Sequence, residues 1–458
     1  MYNLKKWTTI IEFLWWFFYN LLEYIRSWGY EVIWTMEIRE NELFIGGVST
    51  VELVKKYKSP LYVMDEQLLR DTCRNYYKSF KCNEDNRVAF AGKAFLTLEM
   101  CRLIHEEGLN LDVVSGGELY TAYKAGFPME KIYFHGNNKT LDEIQLGVEK
   151  RVGRFVVDNL EEMEMINEIA AKHGVIQDIY LRLTPGIEAH THEYIQTGQI
   201  DSKFGFAPVG NTIMEAVKHA LSLANLRLIG LHCHIGSQIF EIKPYEDAAE
   251  IMLNHIAEIK RETGHEIKEL DLGGGFGVYY TEADKPRSIE EYCSAILNKV
   301  DETCERLGLA KPVLTIEPGR SIVGNAGTTL YTIGAIKNIE NVRKYVSVDG
   351  GMTDNIRPAL YEAKYDMSIV NKLHEPADEK VTIAGKCCES GDILMKDIYI
   401  QKPERGDILA VFTTGAYGFS MFSNYNKNIR PAVVFVGNGQ EKIVSKRQDY
   451  KDLLGLEI

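Results

Sequence analysis

A lysine that closes an apolar run, Lys93 in AFAGKAF, is a residue placed for covalent chemistry. An amine held among apolar neighbours loses solvation, and its pKa falls toward the range where it attacks carbonyl groups, as a Schiff-base lysine must. A lysine with its stem on a barrel rim and its ammonium in water would leave the same trace, so the neighbours decide. Gly236-Ser237 and Gly273-Gly274-Gly275 offer backbone N–H groups able to converge on a phosphate, because glycines permit close approach. GGGFG lacks the spacing of a dinucleotide fingerprint and opens no first βαβ unit, which leaves plain turns as its simpler use. His232 and His234 lie two apart, on one face of a strand, with no evident third metal ligand. His234 suits a ring packed flat on a planar cofactor, and His232 a place in the core. Glu317 in EPGR ends another apolar run. A carboxylate facing a pyridine nitrogen keeps that nitrogen protonated and makes the ring an electron sink; without such a ring, EPGR is a turn with a surface ion pair.

These residues need strand ends to hold them. From about Arg87, short apolar runs alternate with amphipathic helical stretches, the pattern of a parallel α/β fold. The runs are RVAFAGKA from Arg87, LNLDVVSG from Leu109, KIYFHGN from Lys131, RFVVDN from Arg154, DIYLRLTPG from Asp178, LRLIGLHCHIGS from Leu226, KELDLGGG from Lys268 and VLTIEPGR from Val313. Stretches such as LEMCRLIHEEG and LEEMEMINEIAAKHG lie between them. The simplest closure is a (β/α)8 TIM barrel over roughly 88–320, with the residues of interest at the C-terminal strand ends, where barrel enzymes place their chemistry. After Arg320 the alternation gives way to TLYTIGAIKNI, KYVSVDGG, EKVTIAGKCC, DILAVF and PAVVFVGNGQEKIV. They predict a mostly antiparallel β-domain, a β-barrel or sandwich, with a hairpin at Gly437-Asn438-Gly439 and the LYVMD run near Leu61 as an added strand. The expected division is 1–35 as an extension outside the catalytic fold, 36–64 joining the β-domain, 65–320 as the barrel and 321–458 as the β-domain.

Bulk properties narrow the partners. A chain of 458 residues, 45% hydrophobic, can bury a large core over two domains. A net charge of -13, with no run of Lys and Arg, argues against a nucleic-acid surface and for a small-molecule substrate. Eight cysteines with neither a CxxC spacing nor a dense framework fit a reducing cytoplasm. Glu12, Asn20 and Glu23 break the aromatic, apolar stretch from Trp7 to Ile25, so no membrane span is expected there; an amphipathic helix in an upstream extension, or a misassigned start, fits better. The polar segment from Glu188 to Phe206, with Gly198 and Gly205, reads as a loop able to close over substrate.

AFAGKAF, SGGEL, HGNNK, SKFGF, HIGSQ, DLGGGFG, EPGRS, DNIRPALY, CCESGD and GAYGFSM follow one another along the chain. From Met36 to its end the chain resembles the diaminopimelate decarboxylases, within the group that includes ornithine decarboxylase and shares its fold with alanine racemase. The resemblance implies pyridoxal phosphate as cofactor, no metal, and a head-to-tail homodimer with two active sites at its interface. It implies that Lys93 binds the cofactor's aldehyde, His234 stacks on its ring and Glu317 pairs with its nitrogen. Gly236, Ser237, Gly274 and Gly275 would take the phosphate, with Tyr417 close to both cofactor and substrate. Arg320 and Arg357 would hold the carboxylate that is not lost, with Tyr361 assisting, a task planar guanidinium groups suit. Cys388 would reach across the interface as proton donor, and Glu389 would contact the distal amino group. A neutral thiol can be that acid near pH 7, since cysteine titrates near 8.5. Cys387 is an added neighbour without an assigned role; the serine, glycine and aspartate that follow favour Cys388.

The implied reaction converts meso-diaminopimelate to L-lysine and carbon dioxide, the last step of lysine biosynthesis. A decarboxylase of ornithine, arginine or lysine would share the scaffold but call for an acidic pocket, and Arg357 points the other way. A racemase would set an arginine against the ring nitrogen and use a tyrosine as second base, which Glu317 and Cys388 disfavour. A non-catalytic regulatory homologue would be marked by loss of the lysine or the cysteine, and both are in place.

Overall fold

The structure, a computed structural model, describes residues 35–187 and 201–458. The described chain opens with an antiparallel meander, β1 (Met36–Arg39), β2 (Glu42–Ile45) and β3 (Val48–Ser49), and continues into helix α1 (Thr50–Tyr57), whose first turn is capped by the Ser49 hydroxyl. Strand β4 (Leu61–Asp65), buried along its whole length, leads into α2 (Glu66–Ser79).

Strand and helix then alternate. The elements are β5 (Arg87–Ala91), α3 (Leu98–Glu106), β6 (Asn110–Val113), α4 (Gly116–Ala125), β7 (Ile132–Phe134), α5 (Leu141–Glu149), β8 (Arg154–Val157) and α6 (Leu160–Lys172). They continue with β9 (Gln177–Arg182), α7 (Thr212–Ser222), β10 (Leu226–His232), α8 (Lys243–Thr263), β11 (Glu269–Asp271), α9 (Ile289–Leu307) and β12 (Val313–Ile316). Each of the eight runs expected to be a strand is one. They pair in parallel in chain order, and β12 closes on β5 through Thr315 beside Arg87 and Ile316 beside Val88.

The strands are short and buried almost throughout because both faces are covered, outside by helices and inside by side chains, so even their polar residues, such as Asp112 and Asp271, lie inside. Ala89, Tyr133, Val156 and Tyr180 fill the lumen. Full burial of an aromatic or branched side chain contributes roughly 1.5–3 kcal/mol, so this filling is a main source of stability. Helix starts are written into the loops. Thr97, Ser115, Thr140, Asn159 and Ser288 each accept from a backbone N–H of the first turn, and Thr140 with Glu143 and Ser288 with Glu291 complete capping boxes.

Beyond the barrel come α10 (Arg320–Val323), β13 (Gly327–Ile339), β14 (Arg343–Val348), α11 (Arg357–Tyr361) and β15 (Met367–Ile369), then β16 (Glu379–Ala384), β17 (Ile393–Ile400), β18 (Ile408–Val411), β19 (Ala432–Gly437) and β20 (Gln440–Ser445). Their pairing is mostly antiparallel, with parallel ladders where β14 meets β16 and β4 meets β19. The LYVMD run is β4, and it lies between β13 and β19 as expected. Asn438 and Gly439, at φ 53° and 72°, make the hairpin turn between β19 and β20. No helix among the described residues is long and apolar enough to cross a membrane; the Trp7–Ile25 stretch lies outside them.

Candidate active site

The C-terminal ends of the barrel strands surround a cavity of about 820 Å³. Lys93, His234, Ser237, Gly275, Glu317, Arg320, Arg357, Tyr361 and Tyr417 all line it. Lys93 stands just past β5 between buried Gly92 and Ala94, and its own side chain is exposed in the cavity. The expected apolar wrapping therefore ends at the backbone, and the amine itself faces the open space. His234 is half-buried two residues beyond β10, and its Nδ1 accepts from the Gly274 N–H at 3.2 Å. Burial, and after it the charge of Lys93, pushes this imidazole well below its usual pKa, so it is neutral.

Glu317 follows β12 directly and is buried. Its Oε2 meets Nε2 of His232 at 3.2 Å, and its Oε1 lies 2.7 Å from Nε2 of His135. The second approach is out of line for a hydrogen bond, which leaves Oε1 without a partner. Burial alone would raise the pKa of Glu317; the two imidazoles outweigh it and hold the carboxyl well below the ordinary range. His232 is pushed down to about 3, chiefly by burial, and serves as a neutral ring in the core, as the sequence suggested. His135, His232 and Glu317 also form a three-ligand set of the kind a metal ion uses. Within it only the His232–Glu317 contact is a hydrogen bond; His135 Nε2 and Glu317 Oε1 approach each other without making one.

The loops behind β10, β11 and β12 touch. A Cβ on Gly274 would stand 2.0 Å from the Glu317 carbonyl oxygen, and one on Gly275 would stand 2.3 Å from that of Gly236. Only glycine lets these turns pack, and the packing leaves backbone rather than side chain at the cavity wall. Arg320 donates to the Ser237 hydroxyl through Nε at 3.2 Å and Nη2 at 2.9 Å, and its guanidinium carbon lies 4.9 Å from the Tyr417 ring centre. Arg357, the first residue of α11, is buried, with Tyr361 at 6.0 Å.

Four expected site residues do not line the cavity: Gly236 and Gly274 are packed into the turns just behind it, and Cys388 and Glu389 stand apart. Cys388 and Glu389 are exposed on the loop between β16 and β17 and do not line the cavity. The Cys388 N–H donates to Asn426 Oδ1 at 2.8 Å, and Glu389 Oε1 accepts from the Gly391 N–H at 3.2 Å. Cys387 is turned inward: its N–H donates to Asp392 at 2.8 Å, and burial with that carboxylate raises its thiol pKa to about 11.

Asp112, His135, Arg182 and Tyr280 also line the cavity and were not singled out from the sequence. Asp112, pushed up to about 6 mainly by burial, sits 3.7 Å from His135. The signal available for His135 was its place directly after the IYF run. Of the segment expected to close over substrate, 188–200 lie outside the described residues. Its end is fastened, with the Phe206 N–H on the Arg182 carbonyl at 2.8 Å and the Gly205 N–H on Asp158 at 2.9 Å.

Residues 66–324 match the profile of the pyridoxal-dependent decarboxylases, pyridoxal binding domain. Over 424 residues the chain is 49% identical to the diaminopimelate decarboxylase of Bacillus subtilis, covering 92% of this chain and 97% of that one. It is 51% identical to that of Bacillus methanolicus, covering 90% and 96%. The chain belongs to the diaminopimelate decarboxylase family. Among solved structures, the diaminopimelate decarboxylase of M. jannaschii in complex with L-lysine matches with a TM-score of 0.87 and 37% identity, covering 93% of this chain and 98% of that one. A lysine/ornithine decarboxylase from Vibrio vulnificus, at 22% identity and a TM-score of 0.72, shares the fold.

The cofactor of a diaminopimelate decarboxylase, pyridoxal phosphate, fits the residues present. An amine open to the cavity can take its aldehyde. The unpartnered Glu317 Oε1 can accept from a protonated ring nitrogen. Side-chain-free turns and a hydroxyl are suited to its phosphate.

Proposed function

We propose that this chain removes one carboxylate from meso-diaminopimelate, releasing L-lysine and carbon dioxide as the last step of lysine biosynthesis. The observation that carries the substrate is the pair of guanidinium groups, Arg320 and Arg357, in the same cavity as Lys93 and Glu317. A substrate ending in a bare ammonium would meet two cations there, whereas diaminopimelate brings a second carboxylate that two guanidiniums can hold.

Lys93 would hold the cofactor through its aldehyde, His234 would pack on its ring, and Ser237 with the Gly236, Gly274 and Gly275 backbone would take its phosphate, with Tyr417 nearby. When bound, the cofactor would supply an electron sink for the pair left as carbon dioxide departs. Glu317, kept ionised against burial by its imidazole neighbours, would face the ring nitrogen and hold a proton on it. Arg320 and Arg357, with Tyr361, hold the carboxylate that remains and thereby choose which carboxylate leaves. Cys388 Sγ then gives a proton to the carbon that lost it, and Glu389 receives the distal ammonium. Both come from the partner subunit of a homodimer, which accounts for their exposure here. Cys387, turned inward with a raised pKa, is the poorer candidate for that acid.

We assign the chain to the cytoplasm, where its eight unpaired thiols would persist, and residues 1–35 to a place outside the catalytic fold. The test is turnover by purified chain with pyridoxal phosphate, offered diaminopimelate, ornithine, arginine and lysine separately. Diaminopimelate alone should react. Turnover of a basic amino acid instead would overturn the assignment of Arg357, and no turnover at all would favour a regulatory homologue.

A further inference from the structure

Tyr280 carries no role in the account so far, yet it touches both arginines of the cavity. Arg320 Nη1 donates to its hydroxyl at 2.6 Å, and the Arg357 guanidinium lies 4.9 Å from its ring centre. Behind Arg357, Tyr365 accepts from its Nη1 at 2.6 Å, and the Tyr280 and Tyr365 rings meet edge-on at 5.3 Å. One tyrosine thus fixes the first guanidinium by its oxygen and the second by its face, two separate means of orienting a cation.

The loop carrying Tyr280 is itself tied down. Gln238 clamps Val278, its Nε2 donating to the Val278 carbonyl at 2.7 Å and its Oε1 accepting from the Val278 N–H at 3.1 Å. The Tyr280 N–H donates to Asp284 at 3.1 Å. The ring is buried, and although burial opposes ionisation, Arg320 and Arg357 outweigh it and draw the phenol pKa below its usual value. Its oxygen accepts from Arg320 inside the cavity wall, which is the bond the anchoring rests on.

We propose that Tyr280 is a positioning residue that joins Arg320 and Arg357 into one clamp for the carboxylate the substrate keeps. The proposal rests on the reading of those two arginines given above. Without the hydroxyl, Arg320 keeps its bonds to Ser237 but loses its tie to the ring that also packs on Arg357, so a ligand carboxylate must order the pair on binding.

The test compares two competitive inhibitors of the wild-type enzyme and the Tyr280→Phe variant: L-lysine, which has the carboxylate, and cadaverine, the same molecule without it. In Y280F, KM for diaminopimelate and Ki for L-lysine should each rise about tenfold, the worth of one charge-assisted hydrogen bond. The Ki for cadaverine and kcat should stay within about twofold, well under the effect expected for the clamp. Equal weakening of both inhibitors, or no weakening of either, would overturn the proposal. Should Y280F not fold, Tyr365→Phe decides in the same assay, since it frees Arg357 alone and should give a smaller rise confined to L-lysine. A wild-type enzyme inactive on diaminopimelate would instead fault the substrate assignment, a separate failure seen before any variant is made.

Discussion

Two carboxylates are buried at opposite ends of one barrel, and they are treated differently. Glu269, the first residue of β11, is 8% exposed, and Glu317, just past β12, is 7% exposed. At the N-terminal end Arg154 grips Glu269 with two bonds, 2.7 Å and 2.8 Å, Arg87 adds a contact at 2.8 Å, and the Tyr180 hydroxyl donates as well. Burial would raise the pKa of Glu269, but these partners, Arg154 foremost, hold it below the ordinary range. At the C-terminal end Glu317 has two imidazoles and an oxygen left over, and Asp112, Asp271 and His232 likewise keep polar atoms without partners among the described residues. Equal burial with unequal satisfaction separates a structural plug from a site with unused bonding capacity.

The comparison breaks first at Glu317. Glu317→Gln should lower kcat by about 10²–10³-fold, the usual cost of one well-placed electrostatic group, a loss that persists when activity is expressed per folded molecule. Wild-type activity in E317Q would remove the distinction. Glu269→Gln should do the reverse. It strips the anion from Arg154 and Arg87, so a loss of about 3–5 kcal/mol in stability is expected, with kcat per folded molecule unchanged. The pH dependence has a sign: because the folded pKa of Glu269 is depressed, its contribution is present above the unfolded value, about 4.3, and is lost as pH falls through the lower folded value. Melting curves of the wild type and E269Q should converge on acidification below about pH 4; a gap that stays constant would refute the assignment of Glu269 as a charged plug. The smallest effect is expected at Cys387→Ser, where kcat should change by less than about twofold, since its side chain is hydrogen-bonded to Asn428 rather than offered to the site and serine keeps the size and bonding of the thiol. A large loss of kcat there would move the proton donor to Cys387.

The barrel was legible because its strands are continuous apolar runs ending in residues of unusual type, Lys93, His234 and Glu317 among them. The turn at Gly437-Asn438-Gly439 was legible for its local chemistry. Strand β17 was missed: Asp397 at φ 54° interrupts its alternation, and its register against β16 shifts. Strands β1 to β3 and β15 are too short to show a period. The second half of the site was hidden for another reason. Asp112 sits inside an apolar run, and Tyr280 is one of two tyrosines in a loop; their importance comes from partners far along the chain, Glu317 and His135 for one, Arg320 and Arg357 for the other.

The central claim is that each cavity carries Lys93 and Glu317 from one chain and takes its proton from Cys388 of another. Lys93→Ala and Cys388→Ala chains, each inactive alone, should be co-expressed with different tags so that mixed dimers can form. Random pairing makes half of the dimers mixed, each with one intact site of two, so activity should recover to about a quarter of wild type. Recovery to that level is the predicted result, and a mixture no more active than its parents would contradict a site shared between subunits.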